Sequence, residues 1–585
     1  MLHALRTVLT LGLLAALVPT ALALEVVEVR WGFDGTVRAG AFNPLAIRVV
    51  NDGRQRFEGV LTLERRSYAG RGGGVHRAPC FLDPGQERWL RFYPLVLSGG
   101  EDWVLDLGAG PSAKLAETKA AAPAWVVLVA SRERGARGRS TSGLVGFPDE
   151  LFPPTAAATS GLGALVLDHA PEMLGPQRQA LVDWVAMGGV LHLVPDAAGE
   201  LPTLEGELAP LSGVAESQPH GAGRVLRHPG ARWPISRETL EERSGPLATL
   251  PEHPSYGQAV PVQAYGALER FTKADHDWSA IYLLALLYFV LVGPGCALVA
   301  RRFRSHVVAN GTTVALVVAF GLVFGEVGRR GYGERESLHA ASFARSLGGD
   351  RYDVLQYGNL FVTASGRYEV QLDSPFGLYA TGIAHEAVDC DLACGPAGAL
   401  RTVVPLYSSR GYAFRGALAG PALDPVVRVW HTKASGDASV LDALEVRLAR
   451  PLAEVGTRLD CLCLHRGTFR RMQVDSTETE LVMTADAVSV NTNGLYAHHY
   501  GYGRDTAKVD TPSHLRTLAH LLIAEAQSGG DNLPHRLDVP ELSDDEAELY
   551  LVVYAPPSFL PRVADSHRNQ TGVAVLAFRL RRPHP

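Results

Sequence analysis

SAIYLLALLYFVLVGPGCALVA, residues 279–300, decides the architecture, because its 22 residues include no charged side chain. As a helix rising ~1.5 Å per residue it is about 33 Å long, enough to cross a hydrocarbon core of about 30 Å. Trp278 stands at its start in an interfacial aromatic position, and Tyr282 and Tyr288 lie in its first half. Gly293-Pro294-Gly295 would cost a helix in water on the order of several kcal/mol, yet a membrane bundle tolerates such breaks. Arg301, Arg302 and Arg304 follow at once, and a second apolar run covers 307–327. Asn310, Thr312, Thr313 and Glu326 weaken that run, so a buried core helix competes with a membrane span there. The short loop RRFRSH between the runs favours the span, since three arginines in a tight loop mark a cytoplasmic hairpin tip.

Outward from the hairpin, the N-terminus MLHALRTVLTLGLLAALVPTALALE has the order of a signal peptide. Arg6 supplies the positive region, residues 8–18 the apolar region, and Ala21-Leu22-Ala23 a small-x-small cleavage site. Residues 1–23 are therefore expected to be removed, leaving Leu24 first. No Cys follows that site, which argues against a lipid anchor there. The expected localisation is the inner (cytoplasmic) membrane, two-pass after cleavage, with both large domains outside the cytoplasm. Arg329, Arg330 and Arg335 on the outer flank run against the charge rule.

The 585 residues suggest three or four domains. With 46% apolar and 20% charged residues the chain is not generally disordered. A net charge of −6 gives no global basic field for nucleic acid. The mean hydropathy of +0.04 averages very apolar segments with ordinary polar domains.

Residues 24–115 are expected to form a β-sandwich of immunoglobulin-like kind. Strands are predicted at 26–31, 45–50, 57–63, 88–97 and 103–107, with Asn51-Asp52-Gly53 as a hairpin-type turn between the second and third. Arg71-Gly72-Gly73-Gly74 lacks the Lys-Ser/Thr ending of a phosphate loop and is expected to be a flexible loop. Residues 122–265 change character. Continuous apolar runs at 125–129, 162–167 and 190–194 suit buried parallel strands. Between the last two lies GPQRQALVDWVAMGG, with Pro176 near a helix start, Leu181, Trp184 and Val185 on one face, and Gly188-Gly189 as its stop. Strand, helix, strand predicts a right-handed α/β crossover in a flavodoxin-like domain.

The stretch ALVLDHAPEMLGPQRQALVDWVAMGGVLHLV, with GAGRVLRHPG further on (Gly221, Gly223, Arg224, Val225), resembles the class I glutamine amidotransferase-like domain of bacterial membrane proteins. YFVLVGPGCALVARRFR is similar to the membrane hairpin that accompanies that domain in uncharacterised exported proteins. The resemblance implies an N-terminal β-sandwich and a C-terminal β-rich region around the two. It also implies a cysteine nucleophile, and none is present: the six Cys are Cys80, Cys296, Cys390, Cys394, Cys461 and Cys463, so residues 81–295 contain no thiol. No G-x-S-x-G elbow replaces it. The domain is expected to be degenerate, with no catalytic, cofactor-binding or metal residue assigned. Asp168, His169 and Glu172 sit where a strand ends, the usual place for α/β sites, but an ordinary polar loop explains them as well. His192, between apolar neighbours in its strand, is expected to pack.

Residues 335–585 are expected to be a β-rich ectodomain with one helix at 514–527, whose Leu515, Leu518, Leu521 and Leu522 share a face. The spacings of Cys390/Cys394 and Cys461/Cys463 do not match a zinc site, and disulfides between the two pairs are favoured. Tyr496 to Tyr502, with His498 and His499, forms an aromatic turn that could bind carbohydrate or metal, though such pairs on loops are usually incidental. No cofactor is implied. The expected partners are the lipid bilayer and other membrane proteins, with no nucleic acid. The whole chain is thus expected to be a multidomain α+β membrane protein acting as a non-enzymatic scaffold or ligand-sensing component of a membrane complex. The alternatives are an envelope hydrolase with an unrecognised site and an accessory subunit of a transporter.

Overall fold

The computed structural model describes residues 24–67, 70–71, 73–108, 112–130, 143–196, 198–230, 235–244, 259–271, 278–303, 305–331, 336–382, 387–393, 395–435, 438–484, 489–490, 511–528, 542–563 and 569–583. The chain is multidomain and strand-rich, with several sheets and, among the described residues, two long apolar helices. Residues 1–23, Cys394 and the expected turn with His498 and His499 lie outside the described residues.

At the N-terminal end, Leu24–Trp31, Leu45–Asn51 and Glu87–Phe92 form a three-stranded antiparallel sheet. It faces Phe57–Ser67, Gly73–Leu82, Asp102–Asp106 and Ala113–Lys114. Strict alternation in Leu45–Asn51 turns Leu45, Ile47 and Val49 inward against Leu61, Leu63 and Leu105. The hairpin expected at Asn51-Asp52-Gly53 does not form, because Phe57–Ser67 pairs with Gly73–Leu82 and Asp102–Asp106 in the facing sheet. Buried Asn51 is the physical reason. Its Nδ2 donates to the Gln55 carbonyl at 2.8 Å and the Leu82 carbonyl at 3.1 Å, and its Oδ1 accepts from the Gly53 N–H at 3.0 Å. The side chain mimics a backbone turn and carries the chain from one sheet to the other.

The next sheet has the order Val145–Pro148, Ala124–Val129, Leu162–Leu167, Val190–Leu193, Gly223–Arg227, all parallel, with Ser217–His220 antiparallel at the edge. Helix Gly175–Ala186 covers one face, where Leu181, Trp184 and Val185 meet Val126, Leu165 and Leu191. The other face sets Trp125, Val127 and Val166 against Ile235 and Leu240, the latter from helix Arg237–Ser244. Gly223 is required by close approach. A Cβ there would fall 2.1 Å from the Val185 carbonyl oxygen, at the end of the covering helix.

A nine-stranded sheet dominates the C-terminal half. Its order is Leu378–Thr381, Ser408–Ala419, Arg351–Val362, Ser337–Gly348, Asn569–Arg581, Glu546–Tyr554, Arg458–His465, Thr468–Arg471, Ser489–Val490. Helices Ala259–Arg270 and Thr511–Ser528 lie on one face, where Ala264, Leu268, Leu515 and Leu518 pack with Ala341, Phe343 and Leu355. The opposite face meets a four-stranded sheet through Trp430, Leu444 and Leu481.

The N- and C-terminal parts share a sheet. Gly73–Leu82 pairs in parallel with Ala387–Ala393, so the strands of the first sandwich continue through Ala399–Val404, Gly366–Gln371 and Arg562–Val563. Arg77 and Asp391 pair across this joint at 2.7 Å. Gly73 takes φ +86°, and a Cβ on Gly74 would stand 2.9 Å from Leu392 Cγ, so RGGG ends in a glycine-dependent junction strand. The α/β unit is tied in by an ion pair at Arg351 and a hydrogen bond from Arg415, which is itself paired with Asp353 of its own sheet. Arg351 grips Asp183 through two contacts of 2.8 Å, and buried Arg415 reaches Asp353 at 3.2 Å and the Ser160 hydroxyl at 3.1 Å.

The first apolar helix comprises Trp278–Val290, a π turn Leu291–Gly295 and Cys296–Phe303; the second is His306–Gly331. Pro294 lacks an N–H, and the wider turn accommodates it. The helices touch through Tyr288 and Phe320, ring centroids 5.2 Å apart, and the Thr313 hydroxyl donates to Cys296 Sγ at 3.3 Å. Ile281–Phe303 and His306–Gly325 have mean hydropathies of 2.4 and 2.1, and only 6% of each apolar window is buried. Both are long and apolar enough to cross a membrane.

Candidate functional site

The carboxyl ends of the parallel strands bring together the residues singled out in the sequence. Asp149 follows Val145–Pro148 and Asp168 follows Leu162–Leu167, neighbours on either side of Ala124–Val129. Both carboxylates are buried. His169 bridges them, with Nδ1 2.8 Å from Asp168 Oδ1 and Nε2 3.7 Å from Asp149 Oδ2; the longer contact is an ion pair rather than a hydrogen bond. Asp149 also accepts backbone N–H bonds from Glu150 and Glu172, each at 2.8 Å. Glu172 thus joins the cluster through its main chain, and its side chain is exposed.

Asp149 and Asp168 together push the His169 pKa up to about 9 against the opposing effect of burial. An imidazolium at neutral pH has no lone pair to offer as a general base or metal ligand. Among the described residues, no three His, Cys, Asp or Glu side chains are grouped to hold a metal ion. The arrangement therefore staples two strand ends with one cation between two anions. Asp149 escaped notice in the sequence; its only signal there is an acid directly after the short run Val145–Pro148.

His192 packs, as expected, and is fully buried. Its unforeseen partner is His228, with Nδ1 to Nε2 at 3.0 Å and stacked rings, and Trp125 lies 5.6 Å away. Burial lowers His192 to about 3 and His228 to about 4, so both rings are neutral at pH 7. A second cluster links helix Thr511–Ser528 to the C-terminal sheet: Asp460 takes His520 Nε2 at 3.0 Å and Arg471 at 3.1 Å. The hydrogen bond from His520 and the charges of His520 and Arg471 outweigh burial, the largest single effect, and lower the Asp460 pKa.

The expected disulfides between the cysteine pairs are corrected by the structure. Cys390, Cys461 and Cys463 are free, buried thiols. Cys461 and Cys463 place both sulfurs in one core and Leu462 in the other, as alternation along a strand requires. Burial pushes the Cys390 and Cys463 thiols up to about 12, and the three pack as small apolar groups.

No protein-family model matches this chain, and no curated protein matches it. Among solved structures, it is similar at 9% identity and a TM-score of 0.16 to a Paenibacillus sp. cycloisomaltooligosaccharide glucanotransferase complexed with cycloisomaltoheptaose, over 80% of this chain and 98% of that one. A likeness at that score carries no argument about fold or activity.

Proposed function

We propose that this chain is a membrane-anchored envelope protein serving as a non-enzymatic scaffold or ligand-sensing component of a membrane complex. In this reading the N-terminal sandwich is immunoglobulin-like, and the parallel-sheet unit is a degenerate, flavodoxin-like relative of the class I glutamine amidotransferases. The apolar helices are a transmembrane hairpin in the cytoplasmic membrane. The observation that carries the reading is the parallel pairing of Gly73–Leu82 with Ala387–Ala393. These strands lie on opposite sides of the hairpin in sequence, so sharing a sheet requires both folded flanks to lie on one side of the membrane. A hairpin with exposed Arg301 and Arg302 near its tip meets that requirement. The non-enzymatic part is supported by the absence of any thiol from residues 81–295 and by the charge-locked His169.

Co-purification of the tagged chain from membranes in mild detergent tests the reading. A stoichiometric membrane partner is the expected result, whereas a monodisperse single chain with hydrolytic turnover would overturn it. Protease treatment of spheroplasts tests the topology: a C-terminal tag should be digested, and a protected tag would refute the same-side arrangement.

A further inference from the structure

The helix-bearing face of the C-terminal sheet is apolar in its middle and polar near the end that joins the hairpin. There Thr571, His339, Asn359 and Gly411 stand side by side on four adjacent strands. Ser337, two residues before His339, follows the last residue of the second apolar helix by only six positions, and Phe271 precedes the first apolar helix by seven. The row therefore lies where both connections to the hairpin leave the domain.

His339 and Asn359 are 6% and 3% exposed. Even so, among the described residues neither ring nitrogen of His339 has a hydrogen-bond partner, nor does Asn359 Nδ2, nor the Tyr265 hydroxyl. Tyr265 lies over Gly411, where a Cβ would come within 2.9 Å of its ring. Phe271 stacks on His339 at 5.0 Å between centroids, and His514 meets the Phe271 edge at 4.7 Å. Burial lowers His339 to about 4, so its ring offers one donor and one acceptor at pH 7. Native interiors leave few polar groups unpaired, and several in one place point to a guest.

The unmatched groups define that guest. An imidazole N–H, a carboxamide N–H and a phenol need acceptors; the second imidazole nitrogen and the phenol oxygen need donors. An anion would leave the imidazole acceptor unmatched, and a cation would meet N–H groups. Hydroxyl groups donate and accept, and the Phe271 and Tyr265 rings offer apolar faces to the carbon side of a polyol. We propose that this row, covered by helix Ala259–Arg270, is a binding site for an uncharged, hydroxyl-bearing group. The binding chemistry is independent of the hairpin reading; only a lipid source for the group rests on it.

The full chain in phosphatidylcholine nanodiscs provides the test, with methyl glucoside in solution and monoglucosyl diacylglycerol in the bilayer as probes. Native mass spectrometry should show one bound probe molecule. His339→Leu and Asn359→Leu should each weaken binding about tenfold, the loss of one buried hydrogen bond, with melting unchanged or raised because an orphaned group is removed. Binding of the glycolipid alone assigns a membrane source, and binding of the glucoside assigns a soluble one. If the chain proves not to insert, the glucoside arm still decides the site. Binding of neither probe to the unaltered chain would overturn the proposal. So would binding that survives both substitutions, or, if the leucine variants misfold, survives His339→Gln and Phe271→Ala.

Discussion

Replacing His169 with Gln should remove a stabilising effect that depends on pH in a definite direction. The two carboxylates raise the ring from its ordinary 6.5 to about 9. At about 1.36 kcal/mol per unit, that shift has a ceiling of about 3 kcal/mol. Since 24% of the side chain faces solvent, screening reduces the expected value to about 1.5 kcal/mol. A raised pKa means the native state holds the proton more tightly than the unfolded chain. The contribution is therefore complete below pH 6.5 and is lost as pH rises through about 9. Hydrogen exchange of the Leu162–Leu167 amides in the full chain reads the local opening free energy around this site. Wild type should exceed His169→Gln by about 1.5 kcal/mol on the acid side, and the gap should close on the alkaline side. A gap independent of pH would refute the reasoning, as would an NMR titration placing the ring near its ordinary value.

Three further outcomes follow from the joints between domains and from the thiols. Arg351→Ala should destabilise by about 2 kcal/mol, because it leaves the buried Asp183 carboxylate with the Gln179 amide but no counter-charge; a double-mutant cycle with Asp183→Ala, read by melting, should show the double variant losing less than the sum. Gly74→Val should raise exchange of the Ala387–Ala393 amides above that of the rest of the C-terminal sheet, since even its Cβ meets Leu392 Cγ at 2.9 Å and the Cys390 carbonyl at 3.3 Å; unchanged exchange would disprove the close-packed joint. Cys390, held up to about 12 by burial, should resist alkylation at neutral pH in the native chain and react on denaturation. Identical mobility with and without reductant should accompany it.

The elements were legible where a pattern is local. Alternation in Leu45–Asn51, the continuous run Leu162–Leu167 and the leucine stripe of helix Thr511–Ser528 each announce their environment, because burial on one face or two imposes its period on the side chains. The apolar helices announce themselves by length. The pairings were not legible, because they depend on residues far away in sequence. Asn51-Asp52-Gly53 has the chemistry of a hairpin turn, and the same Asx turn serves equally to cross between sheets once Leu82 supplies an acceptor. Asp168 and His169 could be picked out at a strand end, but the charge that fixes their role comes from Asp149, nineteen residues before Asp168, on another strand.

RGGG takes this furthest. Its glycines suggest a loop, and a flexible loop is the ordinary meaning of such a run. Here the small residues instead let Gly73–Leu82 approach a strand more than three hundred positions away, beyond both apolar helices. Without Ala387–Ala393, that strand would have an open edge, which proteins rarely leave uncovered. The first sandwich is thus completed only by the chain that returns after the hairpin, as is the α/β unit's contact through Arg351 and Arg415. A hairpin placed between halves of one sheet is constrained at both ends by the same folded body. That geometry leaves little freedom for the two flanks of the helical pair to move independently of one another.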